Sequence, residues 1–347
     1  LATDKVRHAG EGVAAVIAET EKEAEEAMKK IKVVYEPLPH VIDPLEAVAE
    51  GAPIIHERNH EYERVPGFPP VKGTNIFHHY KLRKGDTEKG FKESEVTVEE
   101  NFYYPLISHV QMEPHACISW WDSPTSVHIW ASTQAPFLVR EIVSQMFHIP
   151  MANIKVEAPY LGGGFGGKSD VVIEPMCAYI SRFVPGHPVK LVLTRKEAFT
   201  SSLVGRGMRG KIKIGAKKDG KLVALEASLY YADGAYGDTG CNVVTASGFV
   251  ATGPYEYEHC KIDCYGVYTN SPPVGAYRGY GHPEAHLMTE RAMNILAEKL
   301  GMTHQELMRK NFLCDGKENA LGQIIRPGNG NLYKCLEEVE RALYEKP

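Results

Sequence analysis

The spacing of hydrophobic and polar positions changes along the chain, and it predicts a mixture of strands and helices. Short β-prone runs, apolar throughout or at alternate positions, predict strands. These runs are Phe77–Leu82, Val96–Tyr104, Ala116–Trp121, Ser126–Ala131, Ile154–Glu157, Val189–Leu193, Arg206–Lys213, Val223–Tyr231 and Cys260–Tyr268. Apolar residues at helical spacing recur at 136–148, Val171–Phe183, Pro283–Leu300 and Thr303–Phe312. Because strands and helices do not alternate regularly, we expect an α+β fold with mixed sheets.

The first residues predict a strand–helix–strand unit that lacks its first half. Val13–Ala18 and Lys32–Tyr35 are β-prone runs, and the acidic helical segment Glu21–Ile31 lies between them, with Thr20 placed to cap it. The chain starts inside this pattern without a methionine and ends just after a helix-like stretch. We therefore expect a proteolytic product, an engineered fragment or one subunit of a split enzyme.

A change in composition marks a domain boundary. Residues 59–75 are rich in glycine, proline and charged residues and show little periodicity, so they predict a linker over the surface. A length of 347 residues fits two or three domains. We expect one unit over residues 1–58 and a larger one over residues 76–347.

Composition and charge exclude several classes of protein. The chain is 43% hydrophobic and 24% charged, as expected of a globular protein, and its net charge of −5 argues against nucleic-acid binding. No apolar run approaches the roughly 18 residues that a membrane span needs. The seven cysteines are odd in number and scattered, which indicates free thiols and a cytoplasmic location.

The most distinctive local feature is the run Leu-Gly-Gly-Gly-Phe-Gly-Gly-Lys at 161–168. Glycines allow left-handed backbone conformations and expose successive N–H groups, which can bind an anion or contact a large polar cofactor. Residues Gly162–Ser169 also match the spacing of a P-loop, so a nucleotide-binding or NTP-hydrolysing protein is an alternative. Against it, the surrounding strands look antiparallel. A glycine-rich turn without a ligand also stays open.

Three other segments carry candidate chemistry. Gln134 follows a strand end directly and offers both a donor and an acceptor, although the local pattern by itself favours a turn or helix-cap role. Arg278 lies between glycines with Tyr277 and Tyr280 beside it, and its planar fork suits phosphate or a pterin edge. The segment His109–His115 holds two histidines and a carboxylate, but Pro114 favours a structural bend over a metal site.

Taken in order, six blocks resemble the molybdenum-binding subunit of the xanthine dehydrogenase/aldehyde oxidase family. The blocks are Asp4–Ala14, Val34–Pro39, Met112–Pro114, Thr133–Gln134, Gly162–Lys168 and Ala276–Gly281. The resemblance covers almost the whole chain. It implies that residues 1–58 are the C-terminal half of an α/β hammerhead-type domain. It also implies that residues 76–347 are the first part of a molybdenum-cofactor-binding domain.

The resemblance implies a hydroxylase that oxidises an electron-poor carbon with water as the oxygen source. Its cofactor would be molybdopterin, in the cytosine dinucleotide form, with the metal held by the pterin dithiolene and by no protein side chain. Electrons would pass to Fe–S clusters and FAD on partner subunits, because none of the cysteine patterns of such clusters occurs here. A second molybdopterin-binding subunit or segment would complete the pocket. An inactive scaffold fragment of the same fold is a further alternative.

The same resemblance implies roles for individual residues. Gln134 is similar to the residue that hydrogen-bonds a molybdenum oxo ligand, and Tyr280 to an aromatic that stacks on the substrate ring. Residues similar to the cofactor-contacting ones are Gly163, Gly164, Phe165, Gly166 and Arg278.

Two departures from the family pattern concern the substrate, and one concerns catalysis. Ser169 stands where purine-oxidising members carry a glutamate, and Ala246 lies closest to the position where they carry an arginine. Both changes argue against xanthine and leave other N-heterocycles, aldehydes or an aromatic thioester. The catalytic glutamate lies in a Gly-x-Gly-Glu block beyond the end of this chain, so we expect the chain alone to be inactive.

Overall fold

The computed structural model describes residues 1–62 and 69–344. Part of the predicted linker, residues 63–68, lies outside the described residues. A short 3-10 turn, Asn59–Glu61, precedes this part. The domain boundaries at 58 and 76 therefore stay predictions.

The described part of the chain contains nine strands and ten helices. The strands are β1 Ile76–Lys84, β2 Val96–Tyr104, β3 Ala116–Ser123, β4 Ser126–Ala131, β5 Ile154–Glu157, β6 Val189–Val192, β7 Gly207–Ala216, β8 Leu222–Ala232 and β9 His259–Val267. The helices are α1 Glu21–Met28, α2 Pro44–Ala47, α3 Thr87–Glu93, α4 Pro136–Phe147, α5 Glu174–Ser181, α6 Arg195–Thr200, α7 Gly240–Val250, α8 His282–Leu300, α9 His304–Asn311 and α10 Leu332–Tyr344.

The strands form two mixed sheets. The larger sheet has the order β1-β9-β8-β7-β2, in which only the β8–β9 pair is parallel. The smaller sheet has the order β5-β4-β3-β6, in which only β4 and β5 are parallel. The prediction of an α+β fold with mixed sheets is confirmed.

The larger sheet buries one face under α8. Residues of α8 at helical spacing, such as Met288 and Leu296, are fully buried together with Ile212 and Leu229 of the sheet. Gly210 on β7 leaves room for the Met288 sulfur, which would lie 2.8 Å from a side chain at that position. Burial of this apolar surface is the main source of stability here, at roughly 25 cal/mol per Å².

The smaller sheet packs against α4 and α5 around its own core. Ile129 of β4, Val139 and Val143 of α4 and Cys177 of α5 are fully buried there. The Trp121 indole N–H donates to the backbone carbonyl of Ala178 over 2.8 Å, which links the sheet to α5. Each sheet thus has a separate hydrophobic core, and the segments connecting the sheets lie between these cores.

The nine strands predicted from residue 77 onward all form, with bounds that differ by a few residues. The two predicted N-terminal strands are wrong, because Val13–Ala18 and Lys32–Tyr35 are irregular. Val34 is 96% exposed, and a β-prone run stays irregular without a neighbouring strand to pair with. Helix α1 between them has the predicted Thr20 cap, with Glu23 completing a capping box.

Helix α7 shows why local pattern alone missed some elements. Its sequence contains glycines and several β-branched residues, which favour helices poorly. The helix instead depends on packing against β1 and β9. Gly248 lies so close to the Tyr80 ring that any side chain there would overlap it. Helix formation here is therefore decided by tertiary contacts.

None of the seven cysteines forms a disulfide bond with another described residue, which agrees with the prediction that the chain is not a disulfide scaffold. Within the described residues, no helix combines the length and the apolar character needed to cross a membrane.

The burial of α8 predicts unequal effects of the same substitution on its two faces. Leu296→Ala removes a fully buried side chain and is expected to lower the free energy of unfolding by about 2–5 kcal/mol. Leu287→Ala on the same helix replaces a residue that is 40% exposed. It should change the free energy of unfolding by less than about 0.5 kcal/mol. Urea unfolding followed by circular dichroism measures both. Equal losses would contradict the packing described.

Candidate functional site

The glycine-rich segment Gly162–Lys168, here called the glycine loop, connects the smaller sheet to α5 and lies between two other segments. On one side, a side chain at Gly164 would overlap the Gln134 carboxamide. On the other side, a side chain at Gly166 would overlap the backbone carbonyl of Ala276. Glycine is therefore required at both positions, and segments far apart in the sequence meet at this loop.

The glycine loop fixes the orientation of the Gln134 side chain. Gln134 Oε1 accepts hydrogen bonds from the backbone N–H groups of Gly166, over 3.1 Å, and Lys168, over 3.4 Å. The Gln134 backbone N–H donates in turn to the Lys168 carbonyl over 2.8 Å. Because Oε1 is occupied, the Nε2 amide group of this exposed residue is left to donate to an external acceptor.

Three successive backbone donors lie next to Gln134. Among the described residues, no group accepts a hydrogen bond from the N–H of Gly163, Gly164 or Phe165. Gly163 and Phe165 have positive φ angles of 97° and 55°, and the Phe165 ring is 48% exposed. A run of unpaired N–H groups in such a conformation suits a ligand rich in oxygen acceptors.

Lys168, the last residue of the glycine loop, has a buried side chain that bonds to residues outside the loop. Lys168 Nζ donates to Glu113 Oε2 over 2.9 Å and to Ser132 Oγ over 2.6 Å. Glu113 Oε2 also accepts from the backbone N–H of Gly162 over 2.7 Å. Burial by itself would raise the pKa of Glu113, but the hydrogen bonds from Lys168 and Ser132 lower it below the ordinary value. We call Lys168, Glu113 and Ser132 the Lys168 cluster.

The Lys168 cluster contradicts the P-loop interpretation of Gly162–Ser169. A P-loop lysine must reach phosphate groups, whereas the Lys168 side chain is fully buried and bonded to Glu113. In addition, α5 begins only at Glu174, so the loop does not lead directly into a helix N-terminus. The nucleotide-binding alternative is therefore wrong for this loop. From the sequence, Glu113 is identified only as part of short motifs such as the block Met112–Pro114. No feature of the sequence indicates its contact with Lys168.

The segment His109–His115 forms the structural bend that its Pro114 predicted. His109 Nε2 lies 2.7 Å from the Ala276 carbonyl, and His115 Nε2 lies 2.8 Å from the Gly167 carbonyl. Burial is the main cause that lowers the pKa of His115 to about 4, so it donates as a neutral imidazole. In the part of the chain that is described, no group of three or more His, Cys, Asp or Glu side chains is placed to hold a metal ion.

Residues 275–281, here called the arginine turn, carry the second predicted cofactor contact. Gly279, Tyr280 and Gly281 have positive φ angles of 102°, 51° and 87°, and the Tyr280 N–H donates to the Tyr277 carbonyl over 2.7 Å. Arg278 is exposed and forms no hydrogen bond or ion pair with another described residue. The turn thus carries a guanidinium with no partner among the described residues, and its Ala276 carbonyl lies against the glycine loop.

The two predicted substrate positions, Ser169 and Ala246, lie on different structural elements. Ser169 Oγ donates to the Gly166 carbonyl over 2.6 Å, so its hydroxyl is used within the glycine loop. Ala246 lies on α7, directly before Ser247, whose Oγ donates to the Gly281 carbonyl over 3.1 Å. Neither position carries a charged side chain.

Sequence comparison identifies domains over most of the chain. Residues 68–312 match the molybdopterin cofactor-binding domain, and residues 1–39 match the a/b hammerhead domain of aldehyde oxidase and xanthine dehydrogenase. The chain is 32% identical over 99% of its length to the nicotinate dehydrogenase large molybdopterin subunit of Eubacterium barkeri, and it covers 77% of that protein. It is 31% identical to the putative xanthine dehydrogenase molybdenum-binding subunit of Escherichia coli K12, of which it covers 43%.

Solved structures with the same fold extend this similarity. The aldehyde oxidoreductase of Desulfovibrio gigas superposes with a TM-score of 0.84 at 28% identity over 94% of this chain. The quinoline 2-oxidoreductase of Pseudomonas putida 86 superposes with a TM-score of 0.81 at 27% identity over the same share. The chain spans 34% and 41% of these two chains, respectively.

The Lys168 cluster predicts an asymmetry between its two charged members. Glu113→Leu leaves the fully buried ammonium unpaired and is expected to lower the free energy of unfolding by about 3 kcal/mol. Lys168→Met should cost only about 1 kcal/mol, because the Glu113 carboxylate is 34% exposed and can be hydrated. Urea unfolding measures both, with Lys155→Met in the exposed Lys155–Glu157 pair as the control. Equal losses from the two substitutions would be evidence against a buried cluster.

His115 predicts a loss of stability at acid pH. Its pKa of about 4 in the folded chain lies below the ordinary 6.5, so the unfolded chain binds a proton that the folded chain excludes. The contribution of His115 to the free energy of unfolding is complete above pH 6.5. It falls by up to about 3 kcal/mol as the pH approaches 4. His115→Gln keeps a donor for Gly167 and should reduce this dependence in urea unfolding, whereas His40→Gln at an exposed position should not. An unchanged dependence in His115→Gln would refute the assignment.

Proposed function

The chain belongs to the molybdopterin-binding subunits of the xanthine dehydrogenase/aldehyde oxidase family, and on that premise we propose that it forms part of a molybdenum hydroxylase. Its relatives are molybdenum-dependent oxidoreductases of nicotinate, xanthine and aldehydes. The chain covers less than half the length of several of these relatives. The activity of the whole enzyme is therefore part of what we propose. The glycine loop, Gln134 and the arginine turn would form one side of the cofactor pocket.

The observation that carries the proposal is the fixed carboxamide of Gln134. Its oxygen is held by the glycine loop, so only its Nε2 donors are available to a ligand. Beside it lie the unpaired N–H groups of Gly163, Gly164 and Phe165, and Arg278 adds a free cation. A donor set of this kind fits molybdopterin, which is rich in oxygen and nitrogen acceptors and carries a phosphate.

Each group in the pocket has a distinct task in this proposal. Bound molybdopterin would supply a metal centre for hydroxylation with water as the oxygen source. Gln134 would donate Nε2–H to an oxo acceptor, and Arg278 would contact the cofactor edge. Gly166 keeps the backbone close to the arginine turn. The Lys168 cluster holds the loop in place, so that its donors need no rearrangement when the cofactor binds. Tyr280 would stack on the substrate ring.

The substrate in this proposal is an N-heterocycle, an aldehyde or a related electron-poor carbon compound, and not xanthine specifically. Ser169 and Ala246 provide no charge to bind a purine, and the Ser169 hydroxyl is already bonded to Gly166. The nicotinate dehydrogenase relative shares nearly the full length of this chain. Nicotinate is therefore the first compound to test, followed by quinoline, hypoxanthine and an aromatic aldehyde.

The proposal also includes partners that complete the enzyme. A second molybdopterin-binding subunit or segment would supply the catalytic glutamate, and Fe–S and FAD subunits would carry the electrons away. The relatives that are named as subunits support such an assembly. The chain alone would then show no turnover. The cytosine dinucleotide form of the cofactor and the cytoplasmic location belong to the same proposal.

The test is metal and pterin analysis of the complex that is purified through this chain. We expect stoichiometric molybdenum in the wild-type complex, and a hydroxylation rate about a hundredfold lower in Gln134→Leu. Electron paramagnetic resonance of the dithionite-reduced complex should also show an altered molybdenum signal in that variant. Gln145→Leu, on the exposed face of α4, is the matched control and should change neither measurement.

Three outcomes would count against the proposal. A wild-type complex that contains all its subunits but no molybdenum would overturn it. A chain that hydroxylates nicotinate at the rate of the complex would refute the need for a second segment. If Arg278→Met changed neither molybdenum content nor activity, the scaffold alternative would gain support for this side of the pocket.

A further inference from the structure

A group of buried charged residues lies beneath the arginine turn. Arg206 immediately precedes β7, Asp233 immediately follows β8, and Glu284 lies in the first turn of α8. The side chains of Arg206 and Asp233 are 1% and 0% exposed, and Glu284 is 3% exposed. Charged residues are seldom buried this completely unless they are paired with other charged groups. None of these residues belongs to a sequence motif identified above.

Arg206 connects this group to the arginine turn. Its Nε donates to Asp233 Oδ1, and its Nη1 donates to the Gly275 carbonyl over 2.7 Å. Gly275 is the first residue of the turn, and its own N–H donates to the Val204 carbonyl over 3.1 Å. The backbone N–H and carbonyl of Gly275, at the start of the turn, are therefore both bonded to the segment that leads into β7.

Glu284 is the third buried charge, and it follows the end of the turn closely in the sequence. It lies three residues after Gly281, where α8 begins. Burial raises the pKa of Glu284, and Asp233 raises it further, whereas Arg206 lowers it, so the three groups interact electrostatically. Burial likewise raises the pKa of Asp233 to about 6, although Arg206 opposes this shift. The direct hydrogen bond between this group and the turn is the one from Arg206 Nη1 to the Gly275 carbonyl.

Three atoms of this group have no hydrogen-bond partner among the described residues. They are Arg206 Nη2, Asp233 Oδ2 and Glu284 Oε2, one donor group and two acceptors. Unpaired buried polar atoms are costly, so a group that only filled space would be better built from apolar residues. The polar character of these residues therefore requires another explanation.

We propose that Arg206 and Asp233 are positioning residues, which fix the arginine turn and thereby the placement of Arg278 and Tyr280. The catalytic meaning of this placement rests on the proposed function, whereas the structural claim does not. Gly279 and Gly281 leave the turn flexible, and Tyr280 holds a positive φ of 51° that a tyrosine rarely adopts. An external support is needed to keep such a conformation populated.

Hydrogen–deuterium exchange on the purified chain and on the complex tests the proposal. Arg206→Lys keeps the charge beside Asp233 but loses the planar fork that also reaches Gly275. The double variant Arg206→Met, Asp233→Leu removes both members of the ion pair, so neither of them is left as an unpaired buried charge. In both variants we expect at least tenfold faster exchange in residues 274–282. Exchange in residues 116–131 of the smaller sheet should be unchanged.

The matched control is the half-buried pair formed by Arg209 and Asp43. Arg209 lies three residues after Arg206, and its Nε donates to Asp43 Oδ2 over 2.7 Å. The variant Arg209→Met, Asp43→Asn should leave the exchange of residues 274–282 unchanged. If exchange of residues 274–282 were unchanged in Arg206→Lys and in the double variant, the proposal would be wrong. Equal acceleration across the whole chain would also overturn it, because it would indicate a general structural role.

Measuring the molybdenum content of the complex distinguishes a failure of this proposal from a failure of the proposed function. If the wild-type complex contains molybdenum, Arg206→Lys is expected to raise the KM for nicotinate or to lower molybdenum occupancy at least threefold, because Arg278 is displaced. If the wild-type complex contains none, the proposed function fails. The exchange of residues 274–282 still decides whether Arg206 positions the turn.

Discussion

The arrangement of the site depends on one buried ammonium group, that of Lys168. Its side chain is fully buried, and its charge is balanced by Glu113, whose carboxylate also holds the N–H of Gly162. A buried charge forces its partners into place, because any arrangement that leaves it unpaired costs several kcal/mol. The glycines give the loop its freedom, and the Lys168 cluster selects one conformation. The unpaired N–H groups of the loop are a consequence of that selection.

The site also depends on the meeting of the two sheets. The smaller sheet carries Gln134 and the glycine loop, whereas the larger sheet and α8 carry the arginine turn. The buried His109 joins them, since its Nε2 lies 2.7 Å from the Ala276 carbonyl and a side chain at Gly167 would overlap its ring. Each sheet has its own hydrophobic core, which supports the segment attached to it. A ligand between the two loops would contact both units.

Sequence pattern predicted the regular elements of this chain well from residue 77 onward. Alternating and apolar runs placed nine strands, because residues that pack on a sheet face follow its period of two. The same reasoning failed at Val13–Ala18 and Lys32–Tyr35, where β-prone residues find no neighbouring strand. It missed α7, whose helix depends on contacts with β1 and β9. In both cases the decisive interaction lies outside the local sequence.

The sequence by itself determined the local features of the site: a glycine run able to adopt positive φ angles, a glutamine at a strand end, and an arginine between glycines. The order of these motifs was enough to indicate the family. Only the tertiary structure decided how the side chains are used. It buried Lys168 under the loop, which removed the P-loop interpretation, and it fixed the Gln134 oxygen so that Nε2 is left to donate. It also placed Arg206 under the arginine turn. These outcomes rest on contacts between residues distant in sequence, and the free energy of such contacts depends on burial and geometry that no local pattern encodes.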